Sequence, residues 1–210
     1  MAIDWAATGT MLQGSGTIVG ALAVVWAAKK GADTFDSWKR QKIAERKLDQ
    51  AERILTATYK ARQALGFVRS PMMWGNELDA AEEKLKEELE KWDAQPDDRQ
   101  RRLRTAQAHF NRLNRVKEDR NSLFDCLPMA RALFGEELEN SVESLHRQFW
   151  FVEVDVESYI DDRGEDREFT RKIRRGMYDV KPEGETNEIS DATAVAVQTI
   201  EAICLPTLHQ

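Results

Sequence analysis

The chain has 210 residues, of which 41% are hydrophobic and 32% charged, with a net charge of -6. Only 5 prolines and 11 glycines punctuate it, too few for a loop-rich all-β fold, and the acidic balance argues against nucleic acid as the main partner. Its two cysteines, Cys126 and Cys204, fall outside any CxxC or zinc-ligand spacing and read as reduced, buried thiols.

The first predicted element is apolar. No charged residue occurs between Asp4 and Lys29, and from Met11 to Ala28 the run carries Leu12, Ile18, Val19, Leu22, Val24, Val25 and Trp26 with no polar face. That is long enough for the ~20 residues a helix needs to cross a bilayer. Trp5 and Trp26 stand near its ends, where indole rings favour the interface. Lys29, Lys30, Lys39, Arg40 and Lys42 follow on one side only, which orients the N-terminus outside and the bulk in the cytoplasm. The expectation is a single-pass anchor over residues 1–30. A cleaved signal, which would need a basic start that "MAIDW" lacks, and a buried helix of a soluble bundle are the alternatives. Gly16 and Gly20, four apart, share a helix face on which a second span could pack closely.

Gly31 is expected to bend the chain, with Asp33 or Asp36 capping a juxtamembrane helix over 31–68. Its apolar stripe is Ala44, Leu48, Ala51, Leu55, Thr58, Ala61 or Arg62, and Leu65, and it should end before Pro71. A bundle follows over 69–181. One helix starts at Asn76 to Asp79 and covers "ELDAAEEKLKEELEKW". After Pro96, Asp97 or Asp98 caps another that runs through Leu103, Ala106, Phe110, Leu113, Val116, Leu123, Phe124 and Leu127 to Pro128. Beyond Gly135, the residues Leu138, Val142, Leu145, Phe149, Val152, Val156 and Tyr159 alternate by four and three, a heptad seam. The local alternation in "FWFVEVDVESY" would suit a strand, but the longer helical period overrides it. "DDRGED" reads as a turn and "REFTRKIRRGMY" as a short basic helix. A polar loop and a last helix bearing Ile189, Ala192, Ala196, Ile200 and Ile203 fill 182–210, the helix stopping near Pro206. The expected fold class is all-α: one transmembrane helix followed by an antiparallel helical bundle.

Charge alternates helix by helix. Residues 77–93 carry -5, residues 99–120 +6, residues 136–166 -9 and residues 167–181 +4. Arg99, Arg101, Arg102 and Arg104 are therefore a candidate contact for an anionic partner, nucleic acid or lipid headgroup, set against the plainer reading that a basic helix lies between two acidic ones. The +4 of residues 29–47, beside the apolar run, points to anionic lipid.

No GxxxxGK[ST], GxGxxG or GxSxG motif occurs. Glu143 and His146 form one E-x-x-H pair, and di-iron bundles need two, so the pair reads as a surface interaction and no metal or cofactor is expected. His109 and His209 lack partners of matching spacing, and Trp38, Trp74, Trp92 and Trp150 read as packing residues at the edge of the core.

The short outside tail, the glycine-containing apolar run and "FDSWKRQKIAERKLDQAERILTATYKARQAL...RSP", over residues 10 to 75, resemble bacterial single-pass membrane proteins with a cytoplasmic long-helix domain. The resemblance implies an inner-membrane location and carries no functional residue. The leading functional expectation is a membrane-anchored helical scaffold, adaptor or sensor that contacts membrane lipid, an unidentified protein partner and other copies of itself. A membrane-linked nucleic-acid or anionic-lipid binding module using residues 99–120 and an enzyme with an unrecognised site stay open.

Overall fold

The computed structural model describes residues 5–181 and 186–209, without the side chains of residues 5–23, 25 and 32. All regular structure among the described residues is helical, and the helices pack as a bundle. Two compact units are distinguished, Met1–Lys47 and Leu48–Gln210.

Helix α1 spans Trp5–Val68 without a break, so Gly31 does not interrupt the helix and neither Asp33 nor Asp36 caps a new one. A single interior glycine costs a helix only ~1 kcal/mol against alanine, and the helix formers around Gly31 carry it. Thr34 Oγ1 donates to the Lys30 carbonyl at 2.8 Å and Arg40 Nε to the Asp36 carbonyl at 3.3 Å, the i to i-4 contacts of a helix interior. The described side chains include no helix long and apolar enough to cross a membrane. Most of the apolar run from Met11 to Ala28, with Gly16 and Gly20, lies outside them.

In the second unit α1 buries Ala51, Ile54, Leu55, Ala57, Thr58, Ala61, Ala64, Leu65 and Val68. The three-and-four spacing gives a continuous stripe, and its alanines let neighbouring helices come close. Ala44 and Leu48, expected on the stripe, are exposed.

After Pro71 comes α2, Gly75–Glu88, whose first turn is held by Glu77 Oε2 accepting from the Trp74 N–H at 3.1 Å. It ends four residues short of Trp92, which is buried in a 3-10 turn, Trp92–Ala94. The expected single helix from Asp97 to Leu127 is instead three: α3 Asp97–Arg115, α4 Lys117–Phe124 and α5 Leu127–Phe134. Pro96, not an aspartate, occupies the N-cap of α3, and Asp97 and Asp98 sit in its first turn, where they complement the helix dipole. Breaks at Val116 and at Asp125–Cys126 re-aim the chain, so that Val116, Leu123, Cys126 and Ala130 all turn inward. Pro128 lies in the first turn of α5, where its missing N–H removes no intrahelical bond.

Helix α6, Glu136–Asp161, is the centre of the bundle and packs against α3, α4 and α5. It also meets α7, Arg167–Met177, and α8, Glu188–Leu208. Leu138, Val142, Leu145, Phe149, Val152 and Val156 have no exposed surface, while Tyr159 at the end of the seam is only partly buried against the core. Each such aliphatic or aromatic side chain contributes ~1.5–3 kcal/mol by leaving water. Asp166 caps α7 through the Glu168 and Phe169 N–H groups, and Asn187 caps α8 through Ser190 N–H. Pro206 lies inside α8, which ends near it, at Leu208, as expected. Only two residues follow it in the helix, so the hydrogen bond it forfeits falls in the last turn.

Candidate functional site

Two groups of arginines behave in opposite ways. The first group is consumed by the fold. Arg112 is buried, its guanidinium donating to Glu77 at 3.0 and 2.7 Å, to the Ser70 carbonyl at 2.8 Å and to the Met72 carbonyl at 2.6 Å. The Arg112 fork holds the Glu77 carboxyl below the usual carboxylate range. Removing one partner of such a buried pair costs ~3–5 kcal/mol, because the other charge is left without compensation.

Arg69, buried at the end of α1, donates to the carbonyls of Arg175, Gly176 and Tyr178, to Asn187 Oδ1 and to Ser190 Oγ. Burial pulls its pKa below the ordinary range, opposed by Asp179 and Asp155, and the guanidinium stays charged. It fastens α1 to the α7–α8 connection. Nothing in the sequence distinguishes Arg69 from any other arginine near a helix end.

The residues expected to meet an anionic partner belong partly to this first group. Arg104 reaches Glu82 of α2 at 3.1 Å, and Arg102 pairs with Asp98 and donates to the Ile160 carbonyl at 3.2 Å. Arg120, further along, pairs with Glu153 of α6 at 3.4 Å. Arg99 and Arg101 are exposed. Of the four residues expected to meet an anionic partner, Arg102 and Arg104 are thus engaged within the chain.

The second group lies on α7. Arg167, Arg171 and Arg174 recur at i, i+4 and i+7, which places them on one helix face, and Tyr178 continues the series beyond the helix end. They line a cleft of about 450 Å³ whose wall also includes Thr170 and Val180. None of the residues lining it is acidic. Gly164, at φ +73°, makes the turn at its far end, a backbone conformation that glycine adopts without strain. The Thr170 hydroxyl oxygen is shielded and has no hydrogen-bond partner among the described residues. Burial raises the Tyr178 phenol, which keeps it a hydrogen-bond donor at neutral pH. The basic charge of α7 was legible in the sequence. The i, i+4, i+7 spacing that gathers three arginines on one face was the signal to follow.

Behind Tyr178 lies His109, fully buried, its ring 5.4 Å from the phenol ring. Its Nδ1 is 3.1 Å from the Val68 carbonyl and its Nε2 has no hydrogen-bond partner among the described residues. Burial and the nearby Arg112 push its pKa down to about 4, so the imidazole is neutral and Nδ1 carries the proton that the carbonyl accepts.

Of the other singled-out residues, Glu143 pairs with Arg147 at 2.7 Å, and the His146 ring lies tilted against Phe124, their centroids 5.1 Å apart. No cluster of three metal-ligating side chains occurs among the described residues. Cys126 and Cys204 are buried free thiols, both raised by burial, Cys204 to about 11. Trp92 is buried, whereas Trp38, Trp74 and Trp150 are exposed. No family profile, no curated protein and no solved structure matches the chain.

Proposed function

We propose that this chain is a membrane-anchored helical adaptor. Residues 11–28 would form the span, and the bundle of α2–α8 would present binding surfaces on the cytoplasmic side. The observation that carries this reading is the side-chain pattern just after the apolar run. Trp26, Phe35 and Trp38 are 65%, 61% and 56% exposed, interspersed with Lys29, Lys30, Lys39 and Arg40. Lys30 Nζ lies 5.9 Å from the Trp26 ring, and the Phe35 and Trp38 rings are 5.9 Å apart. Exposed aromatic rings beside basic side chains suit the headgroup layer, where one end of the group is apolar and the other wet. In water the same rings would be an unpaid hydrophobic exposure.

Protein contacts would come from the bundle surface. Trp150 and Phe151 on α6 are exposed with rings 5.2 Å apart, and aromatic side chains are the residues that anchor protein interfaces most often. Gly16 and Gly20 would offer a packing face to a second copy. The commitment of Arg102, Arg104, Arg112 and Arg120 to partners within the chain weighs against residues 99–120 as a nucleic-acid surface.

The orientation is tested by C-terminal fusions expressed in a bacterial host. Alkaline phosphatase fused after Gln210 should be inactive and a fluorescent protein at the same place should glow. An active phosphatase would put the bundle on the wrong side and remove the adaptor reading.

A further inference from the structure

The geometry points to the α7 cleft as a binding site for a phosphoryl ligand carrying two or more negative charges. Arg167, Arg171 and Arg174 stand one turn apart on a single face, where like charges repel one another unless an anion lies between them. They make no ion pair among the described residues, although α6 next to α7 belongs to the most acidic stretch of the chain. Part of that acidity is turned elsewhere: Asp155 of α6 lies against Gly176 and Lys172, off the arginine face, Asp166 is spent on capping, and Asp161, Asp162 and Glu165 line a separate recess with Phe169. The site therefore concentrates positive charge in a recess of a protein whose net charge is -6.

Guanidinium forks match phosphate oxygens two at a time, which makes arginine the residue best suited to planar, bidentate recognition of a phosphoryl group. Tyr178 adds a hydroxyl donor, and the side chains of Tyr178 and Val180 supply an apolar wall. At about 450 Å³ the cleft is in the ~300–1,000 Å³ range of small-molecule sites, so it has room for more than one phosphoryl group or for a phosphate with an organic substituent. Arg167 opens the helix, Arg171 stands one turn further on and Arg174 lies in its last turn, so a diphosphate laid along α7 could be held at both ends.

The ligand could be a soluble polyphosphate or the phosphate headgroup of a lipid. Titration calorimetry on the full chain in a neutral detergent separates the two, with pyrophosphate as the soluble probe and sn-glycerol 3-phosphate as the headgroup probe. Saturable binding of either one, weakened about tenfold or more in Arg171→Ala/Arg174→Ala and unchanged in Arg147→Ala, an exposed arginine of α6 away from the cleft, supports the site. Tighter binding of pyrophosphate assigns it to a soluble polyphosphate, and tighter binding of glycerol 3-phosphate to a headgroup. Added salt should weaken the binding, because the contacts are ionic and open to solvent. The melting temperature of the double variant checks that it is folded, and Arg171→Gln/Arg174→Gln, which keeps the bulk, replaces it if it is not. If neither probe binds, or if the folded double variant binds as the wild type does, the proposal is overturned.

Discussion

At the scale of single residues, the fold depends on side chains with no exposed surface and on a few buried polar groups. Leu145 and Phe149 sit mid-seam on α6 with no exposed surface, and Glu143 beside them is a solvent-facing partner of Arg147. Truncation of a buried leucine or phenylalanine to alanine costs ~2–5 kcal/mol, whereas an exposed i, i+4 ion pair is worth only ~0.3–0.5 kcal/mol. Leu145→Ala and Phe149→Ala should each lower the melting temperature clearly, and Glu143→Ala should leave it nearly unchanged. Equal shifts in all three would mean that the buried face of α6 is misassigned.

His109 and Asp155 set a second expectation, in pH. The folded-state pKa of His109, about 4, lies below the ordinary 6.5. Between those values the unfolded chain binds a proton that the folded chain refuses, so this contribution is full above pH 6.5 and is lost as pH falls toward 4. Asp155 is raised from 3.8 to about 6 by burial, so its contribution is full below pH 3.8 and is lost as pH rises through 6. On acidification the two run in opposite directions. Urea unfolding at several pH values should show His109→Gln losing less stability than wild type as pH falls from 6.5, and Asp155→Asn losing more. Parallel curves for His109→Gln and wild type would contradict a buried neutral imidazole. The seam of α6 could be read from spacing alone, since period and burial are linked. The roles of Arg69, Arg112 and His109 could not, because each is defined by partners 35 to 121 positions away.

At the scale of elements, helix existence was readable and helix ends were not. The period of 3.6 identifies α6 and the C-terminal half of α1. It cannot show that the stretch after Pro96 breaks twice, because Val116, Leu123 and Cys126 all fit one continuous apolar pattern until their packing partners on α6 are known. Gly31 looks like punctuation in one dimension, yet neighbouring helix formers override it, whereas the last helix does end near Pro206. Glycines within helices supply the prediction at this scale. A side chain at Gly66 in α1 would meet nothing within 4 Å, while a Cβ at Gly176 in α7 would fall on the Asp155 carboxylate. Gly66→Ala should therefore stabilise the protein by about 0.5–1 kcal/mol, through lower backbone entropy in the unfolded chain. Gly176→Ala should destabilise it, since Asp155 must be displaced, and Asp155→Ala should relieve most of that loss in the double variant. Thermal melts of the three variants check this, and a stabilising Gly176→Ala would place Asp155 elsewhere.

At the scale of the whole molecule, the alternating charge of successive helices becomes a set of cross-helix pairs. Arg104 to Glu82 and Arg112 to Glu77 hold α3 to α2, and Arg120 to Glu153 holds α4 to α6. Segment charge showed which helices attract, but not which arginines would remain over, and the face of α7 with Arg167, Arg171 and Arg174, which make no ion pair among the described residues, is where the candidate ligand site lies. The second unit, Leu48–Gln210, contains the core cluster on its own, from Ala51 to Cys204. Under the proposed reading, the stretch without a charged side chain before Lys29 would find its apolar surrounding in a bilayer. The most direct test of membrane anchoring is alkaline carbonate extraction of membranes from cells expressing the full chain, with a variant lacking residues 1–30 alongside. The account predicts that the full chain stays in the membrane pellet while the truncated chain is released to the supernatant. Release of the full chain with the peripheral proteins would contradict it.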